Sequence, residues 1–197
     1  MILILDTETN GLPICPAYGV FHSYTDLTKY NSARVVQISY IVTDGVFNQL
    51  EESDTVIKRD NYLINNHQFH GITNEISDTK GIPFNVFAEM FNNVLDLTST
   101  IFAHNIDFDK NVLFSEFYRI NRLDIIEKFK SKALICSMRL TKNVVKARFK
   151  TGEGFKNPNL KELYQFATGK VMQNHHTCIE DVHNLRVALK IIYPLGV

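Results

Sequence analysis

The stretch of sequence that decides the fold is "MILILDTETNGLP", residues 1–13. Its continuous apolar run from Ile2 to Leu5 predicts a strand that is buried on both faces. Two acids, Asp6 and Glu8, follow one residue apart, so their side chains point to the same side of the strand. Two carboxylates about 6–7 Å apart along one face suit hard cations such as Mg²⁺ or Mn²⁺. Taken alone, however, an Asp-x-Glu pattern is more often a strand end with solvated acids.

Composition and length set the class of protein. The chain has 197 residues, of which 45% are hydrophobic and 21% charged, as in ordinary globular proteins. We therefore expect a single domain spanning 1–197. We expect neither a membrane segment nor a signal peptide, because no apolar run approaches about 20 residues and Asp6 interrupts the N-terminal one. Three cysteines without a CxxC pair predict a reducing, intracellular and cytoplasmic location.

Charge is unevenly distributed along a chain whose formal net charge is zero. The segment 139–161 carries a single acid, Glu153, and seven basic residues: Arg139, Lys142, Lys146, Arg148, Lys150, Lys156 and Lys161. Such a basic flank can hold a polyanion near the rest of a site. A solvated, flexible loop is the equally good alternative.

The order of secondary structure predicts an α/β protein. Apolar and β-branched runs predict strands at 2–5, 34–45, 54–64, 99–103 and 133–137. Apolar residues at helical spacing predict helices at 84–97, 107–120, 159–169 and 179–193. This order favours a mixed sheet with helices packed on its faces. The sequence contains neither GxGxxG after the first strand nor GxxxxGK, which argues against a glycine loop that cradles a nucleotide.

Two further acidic clusters follow predicted elements. The stretch "HNIDFD", 104–109, comes directly after a short strand. Its Asp107 could cap the following helix, whereas Asp109 lies about 200° further round that helix and needs another role. The stretch "HTCIED", 176–181, places His176 in a loop five residues before Asp181, in the first turn of the last helix.

Together these stretches resemble the motifs of the DEDDh (DnaQ-like) 3′–5′ exonucleases, which have the ribonuclease H-like fold. The family motif DxETxG reads here "DTETNG", HNxxFD reads "HNIDFD", and HxAxxD reads "HTCIED" with Cys178 in place of alanine. The stretch "HGITNEI", 70–76, also resembles the family segment before its first long helix. The resemblance runs from Met1 to about Leu189. It implies a mixed five-stranded sheet flanked by helices.

The resemblance also implies a set of catalytic residues. It assigns the metal-binding acids to Asp6, Glu8, Asp109 and Asp181, and the general base to His176. It implies two divalent cations, Mg²⁺ or Mn²⁺, about 3.5–4 Å apart. Asp6 is the candidate to bridge both ions, with Glu8 and Asp181 completing the shell of one and Asp109 holding the other. One ion would activate a water for attack on the terminal phosphodiester, and the other would stabilise the leaving 3′-oxygen.

Substrate contacts are implied in the same way. The backbone around Thr7 to Thr9 would meet the terminal nucleotide, Leu12 would wedge beside its base, and Asn105 would brace the sugar-phosphate. A plain loop anchor is the alternative role for Leu12. Phosphate contacts are expected from the basic segment, where aromatic residues are interleaved with Lys146, Arg148 and Lys150.

The sequence thus predicts a metal-dependent 3′–5′ exonuclease that releases nucleoside 5′-monophosphates, of a proofreading or trimming type. The expected partners are single-stranded or frayed 3′ ends of nucleic acid, with DNA favoured, and a DNA polymerase or other replication protein is a candidate. An exoribonuclease with the same chemistry is the runner-up, and tolerance of the 2′-OH separates the two. A catalytically silent binding module is a further alternative, although all five catalytic positions are present. A zinc module built from His175, His176 and Cys178 is disfavoured because these ligands are too crowded.

Overall fold

The computed structural model describes residues 1–172 and 177–193. It contains five strands: β1 (Ile2–Thr9), β2 (Val35–Thr43), β3 (Gln49–Val56), β4 (Thr100–Ala103) and β5 (Ala133–Cys136). The helices in these ranges are α1 (His67–His70), α2 (Asn74–Lys80), α3 (Phe84–Leu97), α4 (Ile106–Arg119), α5 (Leu123–Lys130), α6 (Ser137–Val145), α7 (Leu160–Thr168) and α8 (Cys178–Ile192).

The strands form one mixed sheet in the order β3-β2-β1-β4-β5. The β1–β2 and β2–β3 pairs are antiparallel, whereas β1–β4 and β4–β5 are parallel. This is the predicted α/β class with a mixed five-stranded sheet, which is therefore confirmed. None of the helices in the described ranges is both long and apolar enough to cross a bilayer.

The central strand β1 is covered on both faces. Leu3 and Leu5 pack with α3, α4 and α5 on one side of the sheet. Ile4 packs with α7 and α8 on the other. Because successive side chains alternate across a strand, one continuous apolar run supplies two separate layers of the core. The even-numbered residues of β1 therefore face the α7–α8 layer.

β1 is longer than predicted and extends through both acids to Thr9. It pairs with β2 along this length, with Asp6 opposite Ser39 and Glu8 opposite Gln37. The pairing of β1 with β4 runs from Ile2 to Ile4, so the two acids follow directly beyond it. Both acids belong to the strand itself, whereas the apolar run predicted a strand only over 2–5.

The prediction of a strand at 54–64 is wrong for most of its length, because β3 spans Gln49–Val56. The Oδ1 atom of Asp44 accepts hydrogen bonds from the backbone N–H groups of Val46 and Asn48, each at 2.9 Å. This tight turn starts the returning strand at Gln49. Most of β3 is exposed, so this edge strand lacks the apolar pattern on which the prediction relied.

The long helices agree with prediction. The predicted helix 84–97 coincides with α3, and α4, α7 and α8 begin and end within one residue of the predicted limits. The shorter helices α1, α2, α5 and α6 were not predicted. α6 occupies the first part of the basic segment 139–161, and an exposed turn follows in which Arg148 forms an antiparallel bridge with Phe155.

Candidate active site

Four acids from three elements share one bay at the end of the β1–β4 pairing. Asp6 and Glu8 come from β1, Asp109 from the first turn of α4, and Asp181 from the first turn of α8. Burial raises the pKa of the Asp6 carboxyl well above its ordinary value, and repulsion from the other three acids raises it further. Burial, with repulsion from Asp181 and Asp109, raises the pKa of Glu8 to about 7. The four carboxylates are therefore close together and poorly solvated.

Asp109 is the most buried of the four, with only 2% of its surface exposed. Burial raises its pKa to about 7. A hydrogen bond from Thr7 Oγ1 to Asp109 Oδ1, at 2.8 Å, acts in the opposite direction by favouring the charged form. This contact was not predicted, because strand alternation places Thr7 on the opposite side from Asp6 and Glu8. It arises because α4 packs on that side of the sheet.

The N-terminus of α8 is attached to β1 through Cys178. The thiol is fully buried, and its Sγ donates to the backbone oxygen of Asp6 at 3.1 Å. Burial raises the pKa of the Cys178 thiol well above its usual range, with the Asp6 charge adding to the effect. The thiol therefore stays protonated and acts as a neutral anchor that carries Asp181 to the acids of β1.

His104, the first residue of "HNIDFD", also reaches the acids. It lines a cavity of about 130 Å³ together with Asp6 and Asp181. Its Nδ1 lies 2.8 Å from Ser137 Oγ. Burial lowers the pKa of His104 to about 4, so the imidazole is neutral at physiological pH. No role was predicted for His104 from the sequence.

The predicted general base lies outside the described residues, as does the neighbouring His175. Thr177, the residue after His176, is the N-cap residue of α8. The other nearby histidine, His183, contacts Glu52 on the edge strand β3, with Nε2 and Oε2 2.9 Å apart. The assignment of His176 as the base therefore stays a prediction.

A cavity of about 340 Å³ opens beside Glu8 and contains several of the predicted substrate contacts. The backbone from Thr7 to Thr9 lines it, and Leu12, which is 75% exposed, stands at its mouth. The position of Leu12 depends on Gly11, where a Cβ atom would meet Ser32 O at 2.9 Å. Only glycine allows the two chain segments to approach so closely. We call this space the terminal cavity.

The far wall of the terminal cavity was not predicted. It is formed by Phe69, which is 64% exposed, and by His70 and Asn66. His70 Nδ1 accepts from the backbone N–H of Ile72, so Nε2 carries the proton and donates to Asn66 Oδ1 at 3.1 Å. The Nδ2 group of Asn66 in turn donates to the backbone oxygen of Thr9. The only sequence signal for this wall was the family-like stretch "HGITNEI".

The sequence suggested that Asp107 could cap the helix that follows its motif, and the structure shows a different arrangement. Asn105, not Asp107, is the N-cap residue of α4, with a left-handed φ of 78° that asparagine tolerates well. Asp107 lies inside the helix and pairs with Lys110 at 2.8 Å and with Arg139. Asn105 lines a second cavity on the other side of Leu12.

The structure does not place the basic substrate contacts in either cavity. Lys146, Arg148 and Lys150 are exposed on the turn after α6, with the guanidinium of Arg148 5.7 Å from the centre of the Phe155 ring. Two other members of the 139–161 segment, Arg139 and Asn157, line the second cavity.

The chemistry of the four acids fits hard divalent cations, because all of the donors are carboxylate oxygens and each neighbouring charge disfavours ionisation of Asp6. Within 1–172 and 177–193, no three His, Cys, Asp or Glu side chains are arranged as they stand to hold a metal ion. Asp109, for example, is turned toward Thr7. The acids therefore provide the donor set, and ligation requires their side chains to reorient.

The family model for RNase T exonucleases, described as "Exonuclease", matches residues 3–188. The chain belongs to this exonuclease family. The fold of this exonuclease is DnaQ-like and ribonuclease H-like, as the resemblance of its motifs implied. No curated protein sequence matches this exonuclease.

Solved structures of Exonuclease I share the fold of this exonuclease. E. coli Exonuclease I in complex with a dA16 oligonucleotide matches with a TM-score of 0.71 and 19% identity, over 98% of this chain and 40% of that one. The zinc-bound form of the E. coli ExoI–ssDNA complex gives 0.72 and 22%, over 99% and 41%. Exonuclease I from Methylocaldum szegediense gives 0.72 and 18%, over 99% and 40%. This exonuclease therefore spans about 40% of the length of the structures it matches.

Proposed function

We propose that residues 1–197 form a single 3′–5′ exonuclease domain that hydrolyses terminal phosphodiester bonds of DNA and releases nucleoside 5′-monophosphates. The observation that carries this proposal is the bay of four acids. Burial alone would raise the pKa of Asp6, and three further carboxylates that raise it again are placed beside it. A fold gains no stability from such an arrangement, which points to a ligand of opposite charge.

The proposed ligands are two divalent cations, Mg²⁺ or Mn²⁺, held by Asp6, Glu8, Asp109 and Asp181. When bound, such ions supply a water of lowered pKa and neutralise charge on the leaving oxygen. The acids contribute negative charge from a rigid strand and two helix ends, so the protein needs little rearrangement of its backbone to bind them. Asp6 lies at the centre of the set, since all three other acids act on its pKa.

His176 is the proposed general base and accepts a proton from the attacking water at its imidazole. Histidine is the side chain most often used as a general base at neutral pH. The terminal nucleotide would occupy the terminal cavity beside Glu8. Leu12 would then stand next to its base, while Thr7 and Thr9 would present backbone groups to its sugar.

Single-stranded DNA is the favoured substrate of the proposal. Two of the matching structures are E. coli Exonuclease I in complex with dA16 and dT13 oligonucleotides, although their identity to this chain is only 19% and 20%. The exposed basic turn supports a role for an extended polyanion. A DNA polymerase or other replication protein is a further candidate partner. Co-elution of the two proteins in gel filtration would test this association.

The test is a side-by-side digestion of single-stranded DNA, duplex DNA and RNA, each labelled at the 5′ end, in Mg²⁺ and in Mn²⁺. A 3′–5′ exonuclease shortens the labelled strand one nucleotide at a time, whereas the opposite polarity releases the label at once. Asp6→Asn should be inactive, and Asp78→Asn, which alters an exposed acid paired with Arg59, should be fully active. Faster digestion of RNA would favour the exoribonuclease, and no digestion by the wild type would favour a silent module.

A further inference from the structure

A second cavity, of about 480 Å³, adjoins the terminal cavity, and Leu12 and Phe108 line both spaces. An ion pair stands in the wall of the second cavity. Its acid, Asp107, belongs to the first turn of α4, and its base, Arg139, belongs to the first turn of α6. A strand that ends in the terminal cavity and leaves it past Leu12 therefore carries its phosphates along this pair.

Arg139 is poorly placed for the stability of its own helix. It is the third residue of α6, where the positive end of the helix dipole disfavours a cation, and the first turn of α6 contains no acid. Its side chain is 54% exposed, so a ligand can reach the guanidinium. Asp107 offsets the charge from the neighbouring helix α4. The cation is therefore held at the cavity by this pairing and not by the preference of α6.

Asp107 has a second cationic partner, Lys110. The Nζ atom of Lys110 lies 2.8 Å from Asp107 Oδ1, whereas Arg139 donates to the other oxygen, Oδ2. Burial acts to raise the pKa of Asp107, but hydrogen bonds from Lys110 and Arg139 outweigh it and lower the pKa. Lys110 stays beside Asp107 because the two residues are one turn apart on α4. Arg139, which comes from a different helix, is therefore the partner that can be exchanged.

A phosphodiester offers Arg139 the same kind of acceptor as Asp107 does. A carboxylate and a phosphodiester each present two anionic oxygens, and both match the planar fork of a guanidinium. When Arg139 turns to a phosphate, Asp107 keeps its contact with Lys110, so no carboxylate is left without a cation. The exchange still breaks one charge-assisted hydrogen bond for each one that it forms. The ion pair therefore competes with the strand for Arg139.

We propose that the Asp107–Arg139 ion pair is an autoinhibitory latch: Asp107 holds the guanidinium of Arg139 in the free protein, and a phosphate of the entering strand displaces it. The proposal rests on the proposed function only in requiring the 3′ end of a nucleic acid in the terminal cavity. The latch makes the affinity for a strand lower than the basic residues alone would give. Removing the charge of Asp107 should therefore strengthen binding, and this gain should depend on Arg139.

The test is a double-mutant cycle on binding. The variants are Asp107→Asn, Arg139→Gln and the two changes together, with Asp107→Ser as a second variant that removes the same charge. Asp78→Asn is the matched control, because Asp78 is also an acid paired with an arginine, Arg59, in another part of the chain. Binding of a fluorescein-labelled oligothymidylate is followed by anisotropy in EDTA over a range of salt concentrations, which requires no catalysis. The Tm of each variant verifies that it is folded.

We expect Asp107→Asn to bind the oligonucleotide about two- to fivefold more tightly than the wild type, which is the range that an exposed ion pair accounts for. Arg139→Gln should bind more weakly, and its slope of log K against log salt should be smaller by about 0.7, the value for one phosphate contact to a single strand. In the double variant the gain from Asp107→Asn should disappear, because the guanidinium that it frees is no longer present. Asp78→Asn should bind as the wild type does.

An equal gain from Asp107→Asn with and without Arg139 would overturn the latch, since simple repulsion between Asp107 and the strand would then explain it. Unchanged or weaker binding by folded Asp107→Asn and Asp107→Ser would also overturn it and would leave the pair as a tether between α4 and α6. A wild type that binds the oligonucleotide but does not digest it in Mg²⁺ would overturn the proposed function and leave the latch standing.

Discussion

Thr7 shows how one side chain can control the protonation of an acid that the mechanism needs in its charged form. Its hydroxyl donates to Asp109, which is buried and has its pKa raised to about 7 by that burial. Without this donor the carboxylate would lose a side-chain hydrogen bond that favours its charged form. The hydroxyl therefore favours the charged form of Asp109 near neutral pH.

We expect Thr7→Val, which replaces the hydroxyl by a methyl group of similar size, to raise the pKa of Asp109 further. A hydrogen bond to a charged group is worth about 1.5–3 kcal/mol, so the acidic limb of the rate–pH profile should move upward by about one pH unit or more. The variant should also require more Mg²⁺ at pH 7. Thr7→Ser keeps the donor and is the control. An unchanged acidic limb in Thr7→Val would show that Asp109 does not titrate in the active range.

The paired histidines provide a second prediction about individual residues. His176→Ala should lower kcat by about 10²–10⁴-fold, the usual contribution of general-base catalysis, with Mg²⁺ binding largely retained. His175→Ala should cost much less, because only His176 stands five residues before Asp181. Turnover measured against pH in both variants distinguishes them. If His175→Ala were the severely impaired variant, the alignment of the third motif would be shifted by one residue.

Helices and strands differ in how far they could be read from the sequence. The helices α3, α4, α7 and α8 carry broad apolar faces against the sheet, and their limits follow from that pattern. The edge strand β3 has one side in solvent, so its limits depend on the turn at Asp44 and not on hydrophobic alternation. The short helix α6 lies in a segment dominated by basic residues, which hide its narrow apolar face.

The candidate active site, like the fold, has parts that were predicted from the sequence and parts that were not. The acids on β1, α4 and α8 were predicted to form one site because the three stretches that carry them resemble the motifs of a known exonuclease family. The wall of the terminal cavity formed by Phe69 depends on where the loop after β3 returns, which no local pattern specifies.

A further prediction concerns the basic turn after α6, which contains Lys146, Arg148 and Lys150. Changing Lys146, Arg148 and Lys150 together to alanine should weaken oligonucleotide binding and flatten its salt dependence, with only a modest loss of turnover at saturation. Phosphate contacts act by releasing counterions, and each lost contact reduces the slope of log K against log salt by about one. The control is the alanine triple of Lys58, Lys80 and Lys190, three exposed lysines from other parts of the chain. Equal salt slopes for the two triples would mean that the turn is merely solvated.

For the molecule as a whole, the bay of acids reduces stability when no cation is bound. The pKa values of Glu8 and Asp109 are about 7 in the folded chain, above their ordinary values of 4.5 and 3.8. Between those values the folded state binds more protons than the unfolded state, so the free energy of unfolding falls as pH rises. His104, whose pKa is lowered to about 4, acts in the opposite sense below pH 6.5, but the acids outnumber it.

We therefore expect the Tm of the chelated protein to fall as pH rises from about 5 to about 7.5. Added Mg²⁺ should raise Tm at pH 7.5 much more than at pH 5, and EDTA should abolish activity. Groups that titrate equally in the Mg²⁺ and EDTA forms, such as His104, do not contribute to the difference in Tm between the two forms. Glu8→Gln should raise Tm in EDTA at pH 7.5 and reduce the gain from Mg²⁺. A Mg²⁺ effect of equal size at both pH values would contradict the proposed role of the carboxylates.

The attachment of α8 to β1 through Cys178 has a consequence for the chain while it is being made. Asp6 and Glu8 emerge from the ribosome early, and Asp109 follows, but Asp181 reaches them only when α8 docks and its thiol meets the Asp6 carbonyl. A nascent or prematurely terminated chain therefore has three of the four acids and an incomplete bay. We therefore expect a chain that ends before α8 to lack nuclease activity.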